Sequence, residues 1–220
     1  MTQNEKVDLL SDTPATPGIL LAGGLARRMG GGDKPLREIG GRSILSRVIA
    51  RLVPQCDALV INANGDLSRF KAFALPVIAD SIAGYAGPLA GILAGMDWVA
   101  ANRPGAPFIL TAAADTPFLP RDLALRLHDV RRARDAQIAV ASSGGRSHHV
   151  VALWSVQLRE DLRRAIVDEK LSQVSAWMAR YRLAVADWPA APFDPFFNVN
   201  MPQDIAEAER ITALDEEPIA

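Results

Sequence analysis

The chain has 220 residues, is 49% hydrophobic and 22% charged, and carries a formal net charge of −1. That length suits one α/β domain or a tight pair, and the near-neutral balance excludes a general nucleic-acid binder, so any anion site must be local. The lone Cys56 excludes an intrachain disulfide framework and fits a reducing compartment, and no apolar run is long enough for a signal peptide or a membrane span. A cytoplasmic protein is expected, with no membrane and no nucleic acid as partner.

Residues 1–17 are dominated by proline, threonine and acidic side chains, which predicts a disordered leader. The apolar run Ile19, Leu20, Leu21, Ala22 is too short for a helix and suits a buried strand that feeds straight into glycine. Gly23, Gly24, Gly30, Gly31 and Gly32 then line a loop that also carries Arg27, Arg28 and Lys34. Glycines let backbone N–H groups approach an anion, and the cations supply the charge that a triphosphate needs. This phosphate cradle is neither a Walker loop, since no GK[ST] closes it, nor a dinucleotide fingerprint, since GxGxxG spacing is absent.

Gly40 and Gly41 predict a short hairpin. An amphipathic helix over 43–53 follows, with Ile44, Leu45, Val48, Ile49 and Leu52 on one face. A second strand over 58–64 ends in polar residues, and because the carboxyl ends of parallel strands face the ligand crevice, Asn62 becomes a candidate base or ribose contact. Alone, an asparagine at a strand end is more often a turn former. A short helix over 66–73 leads to a third strand over 76–80, closed by Asp80. Gly84, Gly87 and Pro88 then precede a helix over 89–101, where Gly91 and Gly95 permit close packing.

Residues 108–113 are apolar on both faces, which predicts a central parallel strand. Asp115 stands at its end, facing the same crevice as the glycine loop, where a carboxylate beside a triphosphate would hold a hard divalent cation. A helix from Asp122 has an arginine-rich outer face, with His128 expected at the surface or half-buried without a partner. Strands over 137–143 and 149–154 flank Gly144 and Gly145, and on an extended chain His148 and His149 point opposite ways and cannot share a metal. Helical stretches over 156–167 and 171–181 and a strand over 183–188 follow. The closing FFNVNMPQDIAEAE puts Asn198 and Asn200 on one side of an extended segment before the last helix. Strands alternating with helices up to Asp115 argue a three-layer, doubly wound, mostly parallel Rossmann-like sheet, and the later hairpin argues a mixed C-terminal half. No linker divides 18–220, so we expect a single domain in which 18–117 bind a nucleotide and 118–220 receive the second substrate.

The pattern LAGGxxxRMGxxxKP resembles the signature loop of nucleotidyltransferases that activate sugars and cofactors, and its LAGG opening and RRMGG run look most like the molybdenum cofactor guanylyltransferases. The stretch from Ser81 resembles that family's DxxxxxxGPLAGI element, DTPFLP its DTP motif, and NVNMPQDI its NVNTPEEL end, all in family order and over nearly the whole chain after Pro17. The resemblance implies Mg²⁺ on Asp115, Arg28 and Lys34 on the triphosphate, and the backbone from Leu21 through Ala22 and Gly23 to Gly24 on base and phosphates. It implies Asn62 and Asp80 as nucleotide contacts, with Asn200 and Asn198 near the metal or the acceptor phosphate. His148 matches the histidine of a family His-Pro pair near the acceptor, with His149 in place of the proline.

The implied reaction joins GTP and molybdenum-molybdopterin to give the guanine dinucleotide cofactor and pyrophosphate, with molybdoenzyme apoproteins or their chaperones as further partners. No GxSxG and no cysteine motif suggests a covalent nucleophile, and none is needed, because the acceptor phosphate can attack the α-phosphorus itself. The rivals are a molybdopterin cytidylyltransferase, whose relatives more often read LAAG, a sugar-phosphate nucleotidyltransferase, and a noncatalytic nucleotide- or pterin-binding chaperone. Retention of Lys34 with Asp115 argues against the last.

Overall fold

Ile19 and Leu20 point to opposite faces of β1 (Gly18–Leu21), and both are fully buried, which requires helices on either side of the sheet. A computed structural model describes residues 14–23, 34–82, 84 and 87–216. Expectations placed on leader residues 1–13 and on loop residues 24–33, Gly24 and Arg28 among them, lie outside the described residues.

After the loop, β2 (Glu38–Ile39) and β3 (Arg42–Ser43) form a small hairpin, and Ser43 caps α1 (Ile44–Leu52) by accepting the Ser46 N–H at 3.1 Å. The chain continues through β4 (Leu59–Asn62), a 3-10 turn (Leu67–Phe73), β5 (Val77–Ile78), α2 (Pro88–Asn102) and β6 (Phe108–Ala113). The second half holds α3 (Leu123–Arg134), β7 (Ile138–Ser143), β8 (Arg146–Ser155), α4 (Arg159–Val167), α5 (Val174–Met178), β9 (Leu183–Trp188) and α6 (Asp204–Glu216).

The main sheet has seven strands in the order β5-β4-β1-β6-β8-β7-β9. All run the same way except β8, which is antiparallel to both β6 and β7. Leu20 packs with Leu45, Val48 and Leu52 of α1 and Leu123 and Leu127 of α3, forming one apolar layer. Ile19 packs with Ile92, Leu93 and Met96 of α2, Leu162 and Ile166 of α4 and Trp177 of α5, forming the other. The three-layer, mostly parallel architecture with a mixed second half is therefore the one the strand pattern predicts.

Three expectations are corrected. Strand β6 is central but not flanked by parallel neighbours on both sides, because burial on two faces reports the layers and not strand direction. The reversal comes from Gly144 and Gly145, at φ of 54° and 78°, which make the tight turn that returns β8 beside β7. The helix expected over 171–181 shrinks to α5. His128, expected near the surface without a partner, is fully buried, edge-on to Phe108, with Nε2 2.8 Å from Thr16 Oγ1. Thr16 in turn donates to Pro14 O at 2.6 Å, so Nε2 carries the proton and His128 donates. Residues 16 and 17 thus join the sheet layer ahead of β1, since Thr16 is buried and Pro17 O accepts the Leu110 N–H at 2.9 Å.

Close approach of α2 to the sheet depends on two missing side chains. A Cβ on Gly95 would lie 2.6 Å from Ile19 Cγ1, and one on Gly91 would lie 2.3 Å from Asn62 Oδ1 and 2.9 Å from Leu21 Cδ2. Gly91→Ala should therefore cost about 1–3 kcal/mol of stability through overpacking. It should also push Asn62 off its partners, and an unchanged urea midpoint would contradict this packing.

Burial, with nearby Arg131 and Arg132 adding to it, pushes the His128 imidazole down from 6.5 to about 4. Between those values the unfolded chain binds the proton that the folded chain refuses, so stability is full above pH 6.5 and falls as the pH drops toward 4. The loss should approach about 3 kcal/mol, at about 1.4 kcal/mol per pH unit. Denaturation midpoints measured from pH 7 to pH 4 should show a shallower decline in His128→Gln than in the parent.

Candidate active site

Strand order reverses at the β1–β6 pair, since β4 and β5 extend the sheet to one side of β1 and β6 begins the other. Open α/β sheets bind ligands outside the carboxyl ends of the strands at such a point. Leu21 is level with Ala113 across this pair, and Ala114 N donates to Leu21 O at 3.1 Å. Gly23 and Asp115 therefore leave neighbouring strands side by side. Among the described residues, a Cβ on Gly23 would meet nothing within 4 Å.

Four of the sequence-predicted residues converge here. Lys34, on a 3-10 turn (Lys34–Leu36) anchored by buried Pro35, forms an ion pair with Asp115 Oδ2. The same ammonium donates to Asn200 Oδ1 at 2.5 Å and approaches Asn198 Oδ1 at 3.4 Å. Asp115 Oδ1 is buried and has no hydrogen-bond partner among the described residues. An unsatisfied carboxylate oxygen in a polar crevice is an acceptor position that a hard divalent cation could take. Among the described residues no three His, Cys, Asp or Glu side chains cluster as a metal site, so a cation here would draw further oxygens from water or a bound phosphate.

The asparagine segment is held from below. Val199 is fully buried in an apolar cluster with Ile39, Ile44, Phe118, Ala208 and Ile211, which turns Asn198 and Asn200 outward together. Val199 N donates to Asp115 O at 3.0 Å, tying the segment to the end of β6. Asp204 Oδ2 accepts the N–H groups of Asn200 and Met201, each at 2.7 Å. Sequence reasoning missed Asp204, whose only signal was an acidic residue in the first turn of a helix, where the macrodipole favours it.

The other predicted nucleotide contacts gather at the ends of β4 and β5. Asn62 is buried beside β1, its backbone O accepting the Ala22 N–H at 2.9 Å. Its Nδ2 donates to Asp80 Oδ1 at 3.0 Å, while Asn64, also missed, donates to Asp80 Oδ2 at 2.7 Å. The described polar side chains of the predicted set thus form two groups at the carboxyl ends of the strands, Lys34, Asp115, Asn198 and Asn200, and then Asn62 and Asp80, with Leu21, Ala22 and Gly23 at the end of β1.

On the far side of β6, Val140 faces Ala152 but Ala141 faces His148, so residues 149–151 form a bulge in β8. The bulge frees Val150 O to accept the Thr111 hydroxyl at 2.8 Å, which itself accepts the Trp154 indole at 2.7 Å. Proline is tolerated in strands at bulges, so His149 in place of the expected proline leaves the strand path intact. His148 stacks on Phe196 at 4.5 Å, and burial holds its imidazole below the ordinary value. Ser143 Oγ donates to Asp194 Oδ1 at 2.7 Å and lies 2.8 Å from His148 Nε2, so His148 donates to the serine. With the hydroxyl between histidine and carboxylate, His148 cannot serve as base for a serine nucleophile. Cys56 is no nucleophile either, its thiol pushed up to about 12 by burial and by Asp57.

Residues 18–184 match the family model described as the MobA-like NTP transferase domain. A molybdenum cofactor guanylyltransferase of Rhodopseudomonas palustris (strain BisB5) is 61% identical over 206 residues, 94% of this chain and 98% of that one. Another, of Nitrobacter hamburgensis, is 61% identical over 93% of this chain and 98% of its own. Among solved structures, molybdopterin-guanine dinucleotide biosynthesis protein A from Archaeoglobus fulgidus shares the fold with a TM-score of 0.70 at 21% identity, covering 90% of this chain and 100% of that one. A CMP:2-keto-3-deoxy-manno-octonic acid synthetase complexed with CTP shares it with a TM-score of 0.70 at 14% identity, over 92% and 99%. With near-complete coverage at this identity, the chain belongs to the MobA-like NTP transferase family and, within it, to the molybdenum cofactor guanylyltransferases.

Proposed function

We propose that this chain transfers GMP from GTP to the terminal phosphate of molybdenum-molybdopterin, releasing pyrophosphate and forming the guanine dinucleotide cofactor. The observation that carries the reading is the convergence of Lys34, Asp115, Asn198 and Asn200 on one point at the reversal of strand order. We place the reaction in the cytoplasm, in keeping with the lone cysteine, and molybdoenzyme apoproteins or their chaperones would receive the product.

An oxygen of the acceptor phosphate attacks the α-phosphorus of GTP, a new P–O bond forms, and the bond to the bridging oxygen of pyrophosphate breaks. The protein's part is positioning and charge stabilisation. Lys34 balances Asp115 in the free protein and would turn its charge to the triphosphate, where Arg28 is the second proposed cation. Backbone groups from Leu21 through Ala22 and Gly23 to Gly24 would line the base and phosphates, with Asn62 and Asp80 beyond them. Asp115 would hold Mg²⁺, using the oxygen that has no partner among the described residues, and Asn198 and Asn200 would orient the acceptor phosphate. When bound, the cation supplies Lewis-acid polarisation of the phosphoryl oxygens.

Asp115→Asn keeps the shape of the side chain and loses its charge. Pyrophosphate release should fall by about a thousandfold, or about 4 kcal/mol of transition-state stabilisation, with the melting temperature little changed. Near-normal turnover at ordinary magnesium would remove Asp115 from the mechanism. Donor choice tests the assignment as a whole, by thermal shift with each of the four triphosphates, with and without Mg²⁺, followed by competition assays with molybdopterin as acceptor. GTP should win against CTP, ATP and UTP; equal use of CTP or ATP would overturn the guanylyl assignment and leave nucleotidyl transfer standing.

A further inference from the structure

Strand β5 has only two residues and sits at the edge of the sheet, so the ladder alone does little to fix Asp80 beyond its end. Side chains supply what the ladder lacks. Asn62 Nδ2 donates to Asp80 Oδ1 at 3.0 Å, and Asn64 Nδ2 donates to Asp80 Oδ2 at 2.7 Å. Asn64 also accepts the Asp80 backbone N–H on its own Oδ1 at 3.0 Å, so one amide grips both the carboxylate and the main chain of the same residue. Arg69 holds Asn64 in turn, donating to its backbone O at 3.0 Å.

An ionised carboxylate has about four lone-pair positions and accepts only. One on each oxygen is taken by an asparagine, and these two bonds set the plane in which the remaining acceptor positions lie. Guanine presents two adjacent donors, N1–H and the N2 amino group, whereas the corresponding edge of adenine offers an acceptor at N1. A carboxylate locked in one plane can discriminate between them because a mismatched base leaves its remaining acceptor positions unpaired.

We propose that Asn64 is a positioning residue for base selection, holding the Asp80 carboxylate so that its free acceptor positions meet the N1–H and N2 amino donors of guanine. The inference rests on the reading of GTP as donor. It assigns Asn64 no contact with substrate; the residue acts through Asp80.

ITP, which lacks the N2 amino group, is the probe. Steady-state pyrophosphate release with GTP and with ITP, using molybdenum-molybdopterin as acceptor, should show the full-length parent preferring GTP by roughly tenfold or more in kcat/KM. In Asn64→Ala the KM for GTP should rise about tenfold, the KM for ITP, which keeps only the N1–H contact, should rise less, and the kcat for GTP should be largely kept, so that the preference narrows. Asn64→Asp separates the two grips. It retains the acceptor for the Asp80 N–H but sets a second carboxylate beside Asp80 Oδ2, so base selection should be lost at least as fully as in Asn64→Ala. A role confined to backbone support predicts instead a mild Asn64→Asp.

Parent-like GTP-to-ITP ratios in both variants would overturn the proposal for Asn64 alone. A parent enzyme that is selective for GTP over ATP yet uses GTP and ITP equally would overturn the two-donor contact while leaving GTP as donor. A parent that uses ATP or CTP as readily as GTP would overturn the donor reading beneath both. Asn64 is exposed, so both variants should melt with the parent, and that measurement separates lost selection from lost fold.

Discussion

One ammonium, Lys34 Nζ, joins the end of β6 to the segment that closes the chain, through Asp115, Asn200 and Asn198. Its partners lie 81, 166 and 164 positions away in sequence. Taking a charged pair out of water costs free energy that the attraction between the charges only partly returns, so such a pair is weak grounds for stability. Here one carboxylate oxygen is buried without a partner among the described residues, which a fold selected for stability alone would avoid. Under the proposed function, the arrangement is a site held ready for a ligand that brings both negative charge and a cation.

Everything near that ammonium is braced by ordinary packing. Val199 anchors the asparagine segment in the cluster that joins α6 to the small β2–β3 hairpin. An ion pair between Arg51 of α1 and Asp215 of α6 fastens the far end of the same helix. Asp204 then converts the position of α6 into the position of Asn200, because its carboxylate binds the two N–H groups at the bend. A shift of this helix would therefore be felt at Lys34 through two or three hydrogen bonds.

The opposite side of the crevice is built on close approach. Gly91 lets Asn62 fit between β4 and α2, and Asn62 with Asn64 orients Asp80. Across β6, the β8 bulge and the Ser143–Asp194 bond place His148 against Phe196. Asp194 also accepts the Phe196 N–H at 2.9 Å, which carries the His148 setting into the chain that leads to Asn198. The face expected to receive the acceptor is thus connected to the asparagines through covalent neighbours and short hydrogen bonds.

By itself the sequence determined what depends on a few neighbouring residues. Two-sided burial of 108–113, the glycine turns at 40–41 and 144–145, and polar residues at strand ends are local patterns, and they located β6, both hairpins, Asn62, Asp80 and Asp115. Outward alternation around Val199 foretold that Asn198 and Asn200 share a side. Only the tertiary structure decided which strand lies beside β6 and in which direction, because apolar residues on both faces are compatible with either. It alone decided that Thr16 satisfies His128, that Asp204 sets Asn200, and that Asn64 grips Asp80. Each of those pairings follows from how strands and helices stack, and the identity of a hydrogen-bond partner is fixed by position in space, which no periodicity or turn signal encodes.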